Sequence, residues 1–140
     1  MSDWKPPSFG SPCWLSISAT DVARAHKFYS TVFDWKFKPE SKEYPGSSIR
    51  MFDFGPDLKL TGGILRVPDE TGVLKTGHGG VSLHLIVDDL ERSANAIIEA
   101  GGKILSKPKP EGKFGLYQYF EDTEGNLGSI YQVVAGGSHE

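Results

Sequence analysis

His84 is the residue best suited to move a proton, because an unperturbed imidazole titrates near neutrality and can act as general acid or base. It sits in the run 81–87, where Val81, Leu83, Leu85 and Val87 alternate with Ser82, His84 and Ile86. That period is the period of a half-buried strand. It puts His84 on the face away from packing, beside Ser82. A second run, 13–19, puts Trp14, Ser16 and Ser18 opposite Leu15, Ile17 and Ala19. Ser129 and Tyr131 occupy the corresponding side of a third run. Hydroxyls at Ser16, Ser82 and Ser129 supply hydrogen bonds, while Trp14 and Tyr131 supply flat apolar surface, the usual makeup of a small-molecule pocket. Gly62 and Gly63 interrupt a strand pattern. Such a pair either admits a close backbone or ligand, or marks a bulge. The bland reading of His84 is a histidine satisfied by a neighbouring strand or by water.

These residues are positioned by a repeat. The stretch 14–37, WLSISATDVARAHKFYSTVFDWKF, returns at 82–105 as SLHLIVDDLERSANAIIEAGGKIL. Laid over each other, Leu15 meets Leu83, Ile17 meets Leu85, Asp21 meets Asp89 and Arg24 meets Arg92. A repeated supersecondary unit fixes the architecture before any single element is assigned. Each copy reads as strand, helix, then three strands. The first helix carries Val22, Ala25, Tyr29, Val32 and Phe33 on one stripe with Phe28 at its edge, and Arg24 and Lys27 on the wet side. Thr20 or Asp21 caps it. The second carries Leu90, Ala94, Ile97 and Ile98, with a capping box at Asp88 and Glu91 and a stop at Gly101 and Gly102. Strands are expected over 35–38, 48–54, 58–66, 103–106, 116–121 and 127–134. The stretch 107–113, KPKPEGK, reads as an extended loop. The fold class is therefore α+β, a single domain over 1–140, with modules about 12–66 and 80–134 and a linker over 67–79. Inward Ser and His on sheets already covered by helices imply a polar-lined concavity between the halves.

Of the other reactive side chains, Cys13 reads as a small buried hydrophobe, His26 as a partly buried structural histidine and His78 as solvated. A lone cysteine excludes an internal disulfide framework. The formal net charge of -3 gives no nucleic-acid footprint. No apolar run reaches the roughly 20 residues of a membrane helix, and the start lacks a secretory pattern. The expectation is a cytoplasmic protein that meets neither nucleic acid nor membrane. Its 17 glycines and 9 prolines suit many short strands joined by turns. Residues 1–11 read as an irregular lead-in and 135–140 as a polar, mobile tail.

The chain resembles the vicinal oxygen chelate superfamily, that of glyoxalase I, bleomycin-resistance proteins and extradiol dioxygenases. The carriers are ATDVARAHKFYSTVFDW, VDDLERSANAIIEAGGKI and FEDTEGN, in order, spanning about Cys13 to Val133. The resemblance implies two βαβββ modules forming a cupped mixed β-sheet, helices on its outer face, usually within a homodimer. Metal-dependent members hold a divalent cation with histidine or glutamate from the first and last strands of each module. Here those positions fall on Trp14, Ser82, Ser129 and near Gly63, none a histidine or carboxylate. The expectation is therefore no metal and no cofactor. The protein is expected to bind an apolar or aromatic metabolite in the cup through Trp14, Ser16, Gly63, Ser82, Ser129 and Tyr131. The alternative is a cofactor-free isomerase, lyase or cyclase with His84 as its catalytic acid–base. A metal-dependent glyoxalase or dioxygenase ranks below both.

Overall fold

The computed structural model describes residue 5 and residues 7–134; the start of the lead-in and the tail over 135–140 lie outside the described residues. The first half runs β1 (Trp14–Ala19), α1 (Val22–Phe33), β2 (Ile49–Asp53) and β3 (Thr61–Arg66). The second runs β4 (Leu83–Ile86), α2 (Leu90–Glu99), β5 (Lys103–Ile104), β6 (Lys109–Glu111), β7 (Gly115–Glu121) and β8 (Leu127–Val133). The class is the expected α+β arrangement with mixed sheets. The strands divide into a three-stranded sheet, β1-β3-β2, and a five-stranded one, β4-β8-β7-β5 with β6 paired to β7. Each half pairs its first strand parallel to its last: Leu15 lies opposite Gly62, and Leu83 opposite Gly128.

The repeat extends to a packing device. Phe52 lies opposite Gly62 across β2 and β3, and Phe120 opposite Gly128 across β7 and β8. In each pair the ring lies over the glycine. A Cβ at Gly62 would come 2.8 Å from Phe52 Cζ and would also strike the Leu15 carbonyl, and one at Gly128 would come 2.5 Å from Phe120 Cζ. The β1–β3 and β2–β3 registers continue without a break through Gly62 and Gly63. Close approach, and no bulge, is thus the reason for the glycine pair.

Asp21 caps α1, accepting a hydrogen bond from Arg24 N at 3.0 Å. The cap of α2 is Asp89, one residue later than expected. Val87 N is still bonded to Tyr131 O at the sheet, so Asp88 belongs to the connection and Asp89 meets Arg92 N at 2.9 Å. Ile98 is exposed rather than packed, because α2 buries only Leu90 and Ile97 fully. Phe28, at the stripe's edge, is fully buried. It packs on Phe120 of the other half, ring centroids 6.2 Å apart. The strand expected over 35–38 shrinks to one bridge, Phe37 to Phe52, because Trp35 turns into the core and stacks on Tyr29 at 4.7 Å. Conversely, KPKPEGK supplies β6, an outer strand where Pro110 needs no ladder donor. Cys13 is exposed, just ahead of β1 at the sheet's edge, not a buried hydrophobe. Val81 is exposed as well, since β4 begins only at Leu83.

One apolar cluster runs through both halves, from Ile17, Phe52 and Ile64 through Phe28 and Trp35 to Phe120, Ile97 and Ile130. At about 1.5–3 kcal/mol for each large side chain removed from water, it is the main cohesive term. A polar network adds to it. The turn between β7 and β8 carries Glu124, whose Oε1 accepts from Thr20 N, Thr20 Oγ1 and Asp21 N at 3.0–3.1 Å. Arg24 completes the site with Nε donating to Oε2 at 2.6 Å and Nη2 to Oε1 at 3.0 Å. Arg24, expected on the wet side, is thus anchored across the halves. Beside it, Tyr29 OH donates to Asp122 Oδ2 at 2.7 Å, and Asn126 Nδ2 donates to Ser18 O at 2.8 Å. Burial alone would raise the Glu124 carboxyl; the bonds from Arg24, Asp21 N and Thr20 outweigh it and hold the group below its ordinary value. Burial raises Asp122, only partly offset by bonds from Tyr29 and Asn126. It also lifts the Tyr29 phenol well above its ordinary value.

Candidate functional site

The halves meet through their helix sides. The opposite faces of both sheets carry the residues singled out from the sequence, in two groups. On the first sheet, Trp14 Nε1 donates to Ser16 Oγ at 2.7 Å. Trp14 is 44 % exposed, and its ring reaches over Gly63, where a Cβ would sit 3.1 Å from Cζ2. Gly63 lies between Ser16 and Met51 in the sheet. The lack of a side chain at Gly63 is what gives the indole its seat.

On the second sheet, His84 lies opposite Ser129, and Ile86 opposite Tyr131. The His84 Nε2 and Ser82 Oγ are 3.0 Å apart, so alternate residues of one chain segment form a hydroxyl–imidazole pair. His84 is exposed, whereas Ser129 is fully buried, its Oγ reaching, among the described residues, only Ile130 O at 3.5 Å. Ser129 is thus sealed beneath the face. Tyr131 OH donates to Glu111 Oε1 at 2.7 Å, and that bond, before burial, raises its phenol above the ordinary value. Its ring covers Gly115, where a Cβ would lie 2.5 Å from Cζ.

Two residues missed from sequence complete this face. Tyr119 lies opposite Ser129, in the same row as His84, and Tyr117 lies opposite Tyr131. The His84 and Tyr119 rings are 6.1 Å apart and edge-on, and Tyr117 and Tyr119 are 5.7 Å apart. The signal was present as tyrosines at alternate positions of a predicted strand, but only the β7–β8 register assigns them to this side. The two groups are not brought together within the chain: among the described residues no hydrogen bond or ring contact joins Trp14 and Ser16 to Ser82 and His84.

His78, expected to be solvated, is paired: its Nε2 lies 2.9 Å from Glu121 Oε2, while Gly77 N donates to Asn126 Oδ1. These two bonds pin the linker to the second half.

The positions onto which the resemblance carries the metal ligands, Trp14, Gly63, Ser82 and Ser129, do not suit a divalent cation. The indole nitrogen of Trp14 is a donor, Gly63 has no side chain, and Ser129 is buried. Ser82 offers a neutral hydroxyl already bonded to His84. A divalent cation wants several carboxylate or imidazole ligands, and among the described residues no three of His, Cys, Asp and Glu gather. The chemistry this face can do is therefore hydrogen bonding and proton exchange by His84, with stacking on Tyr117, Tyr119 and Tyr131.

Comparison with known proteins agrees on the family. The family model for the Glyoxalase/Bleomycin resistance protein/Dioxygenase superfamily matches residues 13–129. A glyoxylase-like domain-containing protein of Didymella fabae is 37% identical over 121 residues, covering 83% of this chain and 88% of that protein. The putative glyoxylase CFP32 of Mycobacterium bovis is 20% identical over 124 residues, 89% of this chain but 46% of its own length, so the chain spans about half of it. Among solved structures, a glyoxalase-related enzyme from Fulvimarina pelagi superposes with a TM-score of 0.71 at 18% identity, covering 93% and 96% of the two chains. The fosfomycin resistance protein FosX from Mesorhizobium loti gives 0.61 at 16%, covering 90% and 93%. At those identities the structural matches speak to the fold alone. No helix among the described residues is long and apolar enough to cross a membrane. The matched residues, the doubled strand–helix unit and the shared fold together show that the chain belongs to the glyoxalase/bleomycin resistance protein/dioxygenase superfamily.

Proposed function

We propose that this chain is a metal-independent small-molecule-binding protein, working as a homodimer, that takes a planar, hydroxylated aromatic or apolar metabolite. The observation that carries the reading is the exposed face on which His84 stands among Tyr119, Tyr117 and Tyr131. Phenol rings stack on a flat ligand, and the imidazole and the Ser82 hydroxyl bond to its polar edge. Trp14 and Ser16 on the other sheet offer a second wall of the same kind. Both β1 and β4 end their sheets. Joining β1 of one protomer to β4 of its partner would bring the two walls together, and unpaired strand edges favour such pairing.

A second reading rests on the Ser82–His84 contact of 3.0 Å. A bonded imidazole on an open face is placed to shuttle a proton, which is the requirement of a cofactor-free isomerase, lyase or cyclase. One titration separates the two. A panel of neutral hydroxylated aromatics, beginning with 2-naphthol, is added while tryptophan fluorescence and product formation are both followed. Saturable quenching without new product supports the binding protein; turnover that disappears in His84→Ala supports the enzyme. Neither quenching nor turnover across the panel contradicts both.

A further inference from the structure

On the helix side of the first sheet, away from His84, lies an open depression of about 480 Å³. Arg50 and Arg66 line it, together with the first turn of α1, His26 and the loop carrying Glu40. Arg50 is opposite Ile64 in the sheet, and Arg66 is two residues beyond Ile64 on β3, so both guanidiniums project to the same side.

Two cations, Arg50 and Arg66, and two carboxylates, Asp21 and Glu40, line it, but Asp21 is engaged as the cap of α1. The Arg50 side chain is only 19% exposed, and its ion-pair partner among the described residues, Glu40, stands 3.9 Å away and is itself 61% exposed. Arg50 Nη2 reaches Lys38 O at 3.3 Å, and its Nε is buried without an acceptor among the described residues. A mostly buried cation with so little compensation is costly. The Arg66 side chain makes no hydrogen bond or ion pair among the described residues. The first turn of α1 adds donors. Thr20 N and Asp21 N are taken by Glu124, and Arg24 N by Asp21. Val22 and Ala23 lie in the first turn, where N–H groups have no intrahelical acceptor; the carbonyls four residues back, Ser18 O and Ala19 O, accept from Asn126 Nδ2 and Val67 N instead.

We infer that this depression is a phosphate site, in which Arg50 and Arg66 hold the phosphate of a small phosphomonoester against the first turn of α1. Two guanidiniums suit a dianion, and their planar forks suit phosphate oxygens. Helix amides at the same spot favour negative charge. Burial, and then the charge of Arg50, hold the His26 imidazole below its ordinary value. Its ring lines the depression and packs edge-on against Phe37 at 4.3 Å, which makes it a reporter of occupancy. Glu40 is the competing anion: its Oε1 accepts from Gly46 N at 3.0 Å while its Oε2 faces Arg50 at 3.9 Å, so phosphate competes with it for Arg50. The site lies on the opposite face from His84 and stands or falls independently of the small-molecule reading.

The test is calorimetric titration of the full chain with inorganic phosphate at low ionic strength, with the His26 ring resonances followed by NMR. One saturable site that shifts His26 is expected. Arg66→Ala, an exposed change whose folding is checked by its thermal melt, weakens binding about tenfold or more. Glu40→Gln tightens it, and Arg92→Ala leaves it unchanged. Glycerol 3-phosphate and vesicles containing phosphatidate then separate the sources. Binding of the former alone indicates a free metabolite, and vesicle capture abolished in Arg66→Ala indicates a lipid headgroup. Absence of saturation, or equal affinity in the wild type and Arg66→Ala, overturns the inference.

Discussion

At Glu124 two opposed effects act on one carboxylate, and the hydrogen bonds win. Its side chain is fully buried, yet Arg24, Thr20 and Asp21 N hold it ionised and lower its pKa. A carboxyl depressed in the folded state contributes stability above its unfolded pKa and loses it as pH falls through the folded one. Asp122, raised by burial, has the opposite sign and favours the folded state at low pH until its own folded pKa is passed. Glu124→Gln should cost about 1–3 kcal/mol at pH 7, because backbone donors at Thr20 and Asp21 lose their charged acceptor. The variant should also lose less stability than the wild type between neutral and acid pH. Urea melts across that range check both statements; parallel pH profiles would remove Glu124 from the account. None of this was legible in the sequence beyond the turn itself. FEDTEGN reads as a turn, but its partners lie about a hundred residues away, and no local spacing reveals them. His84 was legible, because alternation in a strand determines which side a residue takes. The burial of Ser129 was not, because alternation says nothing of what covers it.

The strand–helix units were legible where the period was clear, as in β1, α1 and α2, although the cap of α2 falls one residue later than expected. They were misread where contacts made in the folded chain overrode the local pattern. Trp35 left its strand to stack on Tyr29, and β6 formed from a proline-rich stretch because β7 offered it an edge. The glycine pair Gly62 and Gly63 left two explanations open until the cross-strand register placed Phe52 over one and Trp14 over the other. The same ring-on-glycine device in the second half makes a direct test. Gly128→Val must push Phe120 out of the core, and overpacking of this kind costs about 1–3 kcal/mol or more. Gly125→Ala changes a glycine at φ 85 with open space around it, so it meets backbone strain but no ring. Chemical denaturation should find Gly128→Val the worse of the two; the reverse order would show that the ring does not need the space.

Across the whole molecule, the halves share one apolar cluster and the Glu124–Arg24 link, so they should unfold in one cooperative step. The sequence repeat foretold two halves with polar faces turned away from helix packing, but the concavity expected between the halves does not form within the chain, where the Trp14 and His84 groups stay apart. The proposed homodimer would pair β1 with β4, the strands that end their sheets. Sedimentation at micromolar concentration should give a dimer, and a monomer there would leave the two walls of the proposed site apart. Ligand binding on the His84 face is proposed to need no metal. Calorimetric titration of the chelator-stripped protein with an aromatic ligand found in the fluorescence panel, repeated with Zn, Mn, Ni or Fe added, should give the same affinity in every case, and His84→Ala should weaken it about tenfold or more with melting little changed. Binding that appears only when about one metal ion per chain is restored would contradict it.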